Sequence, residues 1–178
     1  MNENYIYFCE KETPIGKLII TANHNYFLSC EFSEHADYFK HLKERYNLSP
    51  FLDNDLQSPL NKLSHELDLY FSGKLKNFTT PIKIDGTYFQ KKAWEVLKKI
   101  PYGSTISYSV QSERMGNVKS FRAVGNANRK NRLMIIIPCH RVISKGRKIG
   151  GYSGGIDRKK WLIDFEKRSN QHNYSLPM

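Results

Sequence analysis

Cysteine is scarce in this chain. There are three in 178 residues, Cys9, Cys30 and Cys139, and no Cys-x-x-Cys pair. That excludes a disulfide framework and fits a reducing interior compartment. His24, His35, Cys9 and Cys30 fit the spacing of no common metal site, so no metal is expected. Long apolar runs are missing too. Nothing approaches the ~20 residues of a membrane span, and no membrane partner is expected. Met1-Asn2-Glu3-Asn4-Tyr5 lacks the basic start and apolar stretch of a secretory signal. Low-complexity tracts and internal repeats are absent.

What is present is 39% hydrophobic and 13% aromatic residues, enough for a packed core in one large domain or two small ones. Charge is uneven. Residues 1–80 carry 8 Lys/Arg against 11 Asp/Glu, whereas residues 81–178 carry 20 against 6. The whole net charge of +11 therefore lies in the second half. Such an excess suggests a polyanion, most simply nucleic acid, although basic surfaces also serve solubility.

The same boundary divides the local patterns. In residues 1–80, Tyr5–Glu10, Lys17–Ala22 and Tyr26–Phe32 read as short strands joined by Pro14-Ile15-Gly16 and Asn23-His24-Asn25, an antiparallel meander. His35–Tyr46 reads as a helix. Ser58-Pro59 looks like a cap and first turn for a second helix, with Leu60, Leu63, Leu67 and Tyr70-Phe71 as its stripe and Gly73 as its stop. Phe78–Asp85 is an extended connector. In residues 81–178, Thr87 caps a helix carrying Phe89, Ala93, Trp94, Leu97 and Ile100. Ser107–Met115 and Lys119–Asn128 are two more helices around Gly116-Asn117, the outline of a helix-turn-helix. Arg132–Ile137 reads as a strand. Lys145–Gly155 is a glycine-rich loop without phosphate-loop spacing. It is either a surface hairpin or a close approach to a flat ligand. Asp157 caps a last helix with Trp161, Leu162 and Phe165 on one face and Glu166 near its end.

Chemistry gathers at Ile135-Ile136-Ile137-Pro138-Cys139-His140-Arg141-Val142. An apolar β-branched run delivers a cysteine to a proline-broken corner, followed by a histidine and an arginine. Only the thiolate is a nucleophile, and neighbouring cationic or basic groups favour it. The alternative is a buried cysteine acting as a small hydrophobe. Sequence neighbours on a strand point to opposite faces, so coupling Cys139 to His140 requires a turn or a bridging water.

Pro138-Cys139-His140-Arg141-Val142 closely resembles the O6-alkylguanine-DNA alkyltransferases, which repair alkylated DNA by direct reversal. The resemblance continues through Gly86-Thr87-x-Phe89-Gln90, Trp94, Ile100-Pro101-Tyr102-Gly103-x-Thr105, Ser107-Tyr108, Arg122-Ala123-Val124-Gly125, Asn126-x-Asn128 and Asn131. It ends with Gly150-x-Tyr152-Ser153-Gly154-Gly155, Lys160-x-Leu162 and Glu166. It covers residues 86 to 166 in order and at the family's spacing. Before that the match is loose, chiefly Thr13-Pro14-Ile15-Gly16-Lys17-Leu18.

The resemblance implies an α/β fold of the α+β kind. A ribonuclease-like N-terminal domain with an antiparallel sheet (1–80) precedes a mostly helical C-terminal domain with the helix-turn-helix (81–178). It implies transfer of an alkyl group from O6-alkylguanine in double-stranded DNA to Cys139, without cofactor. His140 would be the base through a water, Glu166 would orient it, and Asn131 would brace the turn. Tyr108 and Ser153 would donate hydrogen bonds to the flipped base. Backbone groups of Cys139 and Val142 would read its amine, and Tyr152 and Met134 would wall the pocket. Arg122 would enter the duplex from the minor groove, and Thr105, Ser107 and Ser120 would belong to the DNA-binding set. Burial of the lesion in a duplex requires flipping, and the anionic guanine needs donors to leave. A thioether is not readily hydrolysed, so one turnover per molecule is expected. A monomer is expected, in the cytoplasm and nucleoid-associated in a prokaryote, or nuclear in a eukaryote.

The chain departs from the family at several positions. Arg132 and Met134 stand where prolines are frequent. Val118 replaces a frequent proline before the DNA-reading helix. Ser120-Phe121 replace small residues, and Phe121 either packs inward or hinders approach to the groove. The structural zinc ligands of some members are unmatched. Competing readings are a non-catalytic lesion sensor, against which Cys139 argues, a helix-turn-helix transcription factor, and a cysteine hydrolase.

Overall fold

Aromatic and β-branched residues crowd the first thirty positions, and they pair as strands. The computed structural model describes residues 6–46, 48–50 and 58–172. Tyr5, the expected start of the first strand, lies outside them. β1 (Ile6–Lys11), β2 (Leu18–Ala22) and β3 (Phe27–Phe32) form the antiparallel meander. β2 lies in the middle and is buried along its whole length. A 3-10 turn over Ser33–His35 leads into α1 (Asp37–Arg45), shorter than the expected His35–Tyr46. The Glu31 carboxylate accepts from the Tyr38 and Phe39 amides at 3.4 and 3.2 Å, which supplies the cap that no side chain just before the helix provides.

The sheet is not purely antiparallel. β4 (Leu48–Pro50) pairs parallel to β1 and completes the order β3-β2-β1-β4. The sequence gives no sign of it, because three residues ending in proline carry no alternation. The crossover through α1 makes the parallel pairing possible. α2 (Pro59–Phe71) starts at Ser58, whose hydroxyl accepts from the Asn61 amide at 3.2 Å. Its stripe of Leu60, Leu63, Leu67 and Tyr70 is buried, while Phe71 is only half-buried. Glu66 lies on the same helix and accepts four bonds from the amides and hydroxyls of Thr79 and Thr80. Burial opposes its ionisation, but those donors prevail and hold its pKa below the ordinary value. The connector thereby lies against α2 and also bridges β3, through Phe27 N to Pro81 O and Lys83 N to Phe27 O.

The chain divides into compact units at residues 1–84 and 85–178. The second begins with α3 (Tyr88–Lys98), closed by a reciprocal capping box between Thr87 and Gln90. β5 (Ile106–Ser107) runs into α4 (Tyr108–Arg114), so Ser107 ends a strand and caps the helix rather than lying inside it. Gly116 turns the chain at φ +81°, a conformation that suits glycine. α5 (Phe121–Arg129) follows, starting two residues later than expected and leaving Lys119 in the turn. Ala93, Val96, Met115, Val124 and Ala127 form the core between these helices. Inside it Gln111 and Asn128 exchange two amide bonds, and Trp94 Nε1 donates to Ala127 O at 3.0 Å. Losing one such partner would strand a buried polar group, at about 1–3 kcal/mol.

β6 (Val142–Ile143) pairs parallel to β5, Ile106 with Val142 and Ser107 with Ile143. That pairing brings the start of α4 beside the cysteine segment. α6 (Ile156–His172) closes the unit and runs six residues past Glu166. Asp157 lies within its first turn rather than at its cap. Among the described residues no helix is long and apolar enough to cross a membrane, and no cluster of three or more His, Cys, Asp or Glu could hold a metal.

Candidate active site

The segment before Cys139 is not the strand that Arg132–Ile137 suggests. Residues 134–136 form a turn, and Ile135 sits in the left-handed region at φ +74°. A β-branched residue there is strained by about 1–3 kcal/mol. Asn131 overrides the β-propensity of the isoleucine run. Its Oδ1 accepts from Leu133 N at 3.0 Å, and its Nδ2 donates to Ile137 O at 2.8 Å. Ile137 N in turn donates to Leu133 O at 2.8 Å. The same Nδ2 lies 3.2 Å from Cys139 Sγ, so one amide holds both the turn and the thiol. Arg132 is half-buried and leaves these bonds intact.

Cys139, His140 and Arg141 form a 3-10 turn after Pro138. The two residues therefore follow one another in a turn and not at a strand corner, where they would point to opposite faces. His140 is fully buried, and its Nε2 lies 2.8 Å from Glu166 Oε1. Arg141 donates through Nε to Glu166 Oε2 and through Nη2 to Glu166 Oε1, both at 2.9 Å. Its Nη1 reaches Ile100 O at 2.7 Å. Gly103 N donates to Glu166 Oε2 at 3.0 Å. Among the described residues Glu166 thus faces at least these four donors, two on each oxygen. Burial opposes its ionisation, but His140 and Arg141 outweigh that and hold its pKa well below the ordinary range.

A carboxylate only accepts, so Nε2 of His140 carries the hydrogen and Nδ1 keeps its lone pair. Nδ1 is buried and has no hydrogen-bond partner among the described residues. Burial also lowers the histidine pKa, despite the opposing pull of Glu166, so the ring is neutral. The outcome is a neutral imidazole whose basic nitrogen no described residue satisfies, one residue along the turn from Cys139.

The sequence reading that flanking cations favour the thiolate needs correction. Arg141 is committed to Glu166, and His140 is neutral. Cys139 is 6% exposed, and burial raises its pKa. Asn131 and Lys159 pull the other way without prevailing. The resting thiol is protonated, so reaction requires a base.

Lys159 is the residue that sequence reasoning missed. It is fully buried, and Nζ donates to Val142 O at 2.5 Å and Gly151 O at 3.0 Å. Burial lowers its pKa to about 8. A signal was available. Lys159, Leu162, Ile163 and Glu166 recur at helical spacing, so two ionisable groups interrupt one buried stripe. Tyr108 OH donates to the same Gly151 carbonyl at 3.3 Å, and its pKa is raised by burial, so it stays a donor. The loop passes close to Tyr108. Gly150 has φ +71°, and a Cβ there would lie 2.7 Å from Ser144 Oγ and 3.2 Å from the Tyr108 ring.

The remaining predicted residues divide into two groups. Val142 and Met134 are buried beside the turn, and the Tyr152 ring meets the His140 ring edge-on at 6.5 Å. Ser153 is near in sequence, but its hydroxyl donates to Arg129 O at 2.9 Å. Arg122 is exposed on α5, and Ser120 precedes that helix. Ser107 Oγ accepts from Val110 N at 3.2 Å, and Thr105 is half-buried before β5. This second group lies along the helix-turn-helix.

Known proteins share the sequence pattern and the fold. Residues 88–168 match the family model described as the 6-O-methylguanine DNA methyltransferase DNA binding domain, and residues 5–84 match that of its ribonuclease-like domain. A methylated-DNA–protein-cysteine methyltransferase of Methanosarcina acetivorans is 35% identical over 90% of this chain and 98% of its own length. The chain belongs to this family. Another methyltransferase, the constitutive protein of Bacillus subtilis, is 37% identical over 92% of this chain and 96% of its own. The fold agrees with that of the Mycobacterium tuberculosis O6-methylguanine methyltransferase. That crystal structure has a TM-score of 0.80 and 32% identity, covering 92% of this chain and 94% of the other. A structure of the mycobacterial protein in complex with DNA matches at TM-score 0.79, covering 93% of this chain and 94% of that one.

Proposed function

We propose that this methyltransferase-family protein repairs O6-alkylguanine in double-stranded DNA by moving the alkyl group irreversibly onto Cys139. The observation that supports the reading is the buried thiol followed in one turn by a neutral histidine whose Nε2 is held by Glu166 and whose Nδ1 no described residue satisfies. Nδ1 takes the thiol proton through a water. The thiolate attacks the alkyl carbon, the carbon–O6 bond breaks as the sulfur–carbon bond forms, and guanine leaves as its anion. Transfer of the stored proton back toward the base neutralises it. Tyr108 donates to the base as charge develops. Ser153 joins it only by exchanging its bond to Arg129 O.

The duplex is engaged from the minor groove by the helix-turn-helix of the basic half, with Arg122 filling the gap left by the extruded base. Cys139 and Val142 backbone groups and the Tyr152 and Met134 side chains receive it. Thr105, Ser107 and Ser120 contribute to the DNA-binding surface. The ribonuclease-like half supports the active half. The protein acts as a monomer, in the compartment that holds the DNA.

Intact mass after incubation with an oligonucleotide duplex containing O6-methylguanine tests this. One methyl group per molecule is expected, with no further turnover when alkylated DNA is in excess. Cys139→Ala gains no mass and still binds DNA. Absence of a methyl adduct on the wild-type protein, with its thiols reduced, overturns the reading.

A further inference from the structure

We propose that Phe121 is a wedge that enters duplex DNA beside Arg122. This rests on the DNA-repair reading above and adds to it a residue that reading does not use. Phe121 opens α5 and is 47% exposed, and Val118 just before it is 69% exposed. The inward packing that the sequence left open is therefore excluded. The buried side of α5 is formed by Val124, Ala127 and Asn128, and Phe121 is not part of it.

The segment bearing Phe121 is held in place. Asn117 N donates to Ser112 O at 3.0 Å, Ser120 N donates to Ser112 Oγ at 3.1 Å, and Ser112 Oγ bonds to Asn117 O. Val124 N donates to Ser120 O at 2.9 Å, which continues the hold into α5. An exposed aromatic ring is thus presented on a braced turn.

The occupant follows from charge. From Arg114 to Ile156 the chain contains ten Lys/Arg and no Asp or Glu. One of the ten, Arg141, is buried on Glu166, but α5 and the turn before it carry Lys119, Arg122 and Arg129 and no carboxylate, which suits a phosphate backbone. An apolar partner protein would meet the Arg122 guanidinium 5.8 Å from the ring centroid, with Lys119 in the preceding turn and Arg129 and Lys130 at the other end of α5. Apolar side chains inserted between base steps partly unstack them and kink the duplex, which eases extrusion of a neighbouring base. Consecutive residues on a helix point about 100° apart, so Phe121 and Arg122 do not fill one gap. The guanidinium carbon of Arg122 lies 5.8 Å from the Phe121 ring centroid, which puts both on one edge of the helix. Arg122 takes the vacated position, and the ring of Phe121 takes the adjacent base step.

The test compares wild type, Phe121→Ala and Phe121→Leu on two substrates, free O6-benzylguanine base and a duplex carrying O6-methylguanine with 2-aminopurine as the adjacent base. Single-turnover transfer is read by intact mass, and unstacking by 2-aminopurine fluorescence. Phe121→Ala is expected to lose about tenfold or more in duplex transfer rate and most of the fluorescence rise. Phe121→Leu retains most of both. Transfer from the free base and the melting temperature stay at wild-type values in each variant. Wild-type or faster duplex transfer by Phe121→Ala overturns the proposal, and a gain would identify the ring as an obstacle. A wild-type protein that accepts alkyl from neither substrate overturns the underlying reading instead.

Discussion

Replacing Glu166 by glutamine puts an amide where two oxygens each accept from two donors. Oε1 receives His140 Nε2 and Arg141 Nη2, and Oε2 receives Arg141 Nε and Gly103 N. In either amide orientation an NH2 group faces two donors, and the buried Arg141 charge loses its counter-ion. Breaking a buried ion pair on one side costs about 3–5 kcal/mol. A typical domain has about 5–15 kcal/mol to lose, so the variant folds with a lowered urea midpoint. The chemical effect is separate. Without an ionised acceptor His140 Nε2 is no longer fixed as the donor, and Nδ1 is no longer reserved as the base. Single-turnover methyl transfer, read by intact mass, should fall about 10²–10⁴-fold. A second variant separates the causes. Arg141→Met combined with Glu166→Gln removes the stranded charge and should recover part of the stability without recovering the rate. The sign with pH is also determined. The pKa of Glu166 is depressed in the fold, so its stabilisation is complete above the unfolded value of 4.5 and disappears as pH falls toward the lower folded value. Glu166→Gln should flatten that acid limb. Near-wild-type transfer by Glu166→Gln, or an unchanged acid limb, would refute the coupling of this carboxylate to the histidine.

Two other perturbations follow from the same geometry. Asn131→Ala removes three hydrogen bonds at about 1 kcal/mol each, partly offset by relaxation of the strained Ile135 backbone. A net loss of about 2 kcal/mol by urea unfolding and at least about tenfold slower transfer are expected; wild-type values for both would show that the amide does not set the thiol. Lys159→Met removes a buried ammonium whose pKa burial lowers to about 8 from 10.5. The unfolded chain holds that proton more tightly, so this lysine adds stability as pH rises through that window. The stability of wild type relative to Lys159→Met should therefore increase between those pH values, and a constant difference would contradict the burial. The variant also loses the clip between Val142 O and Gly151 O, so transfer should slow even at neutral pH.

Much of this protein is determined locally, and a local reading recovers it. The capping serine and threonine at 58 and 87, the leucine stripe of α2 and the glycine turn at 116 act within a few residues. Their consequences are therefore legible in order along the chain. The spacing from Thr87 to Glu166 also identified the family. The cysteine segment shows the limit. Three consecutive isoleucines favour a strand by propensity, yet Asn131 spends its amide on Ile137 O and the thiol, and the run becomes a turn with Ile135 at positive φ. Propensity is a weak preference that a few well-placed bonds exceed. β4 was hidden for a related reason, since its pairing with β1 depends on a partner forty residues away. Protonation states were least accessible. Lys159, Arg141 and Glu166 are ordinary charged residues in sequence. Only their burial against the same few atoms makes one lysine weakly basic, one carboxylate strongly acidic and one histidine neutral with a nitrogen to spare, because the cost of charge depends on solvent exclusion and neighbours that only the folded chain supplies.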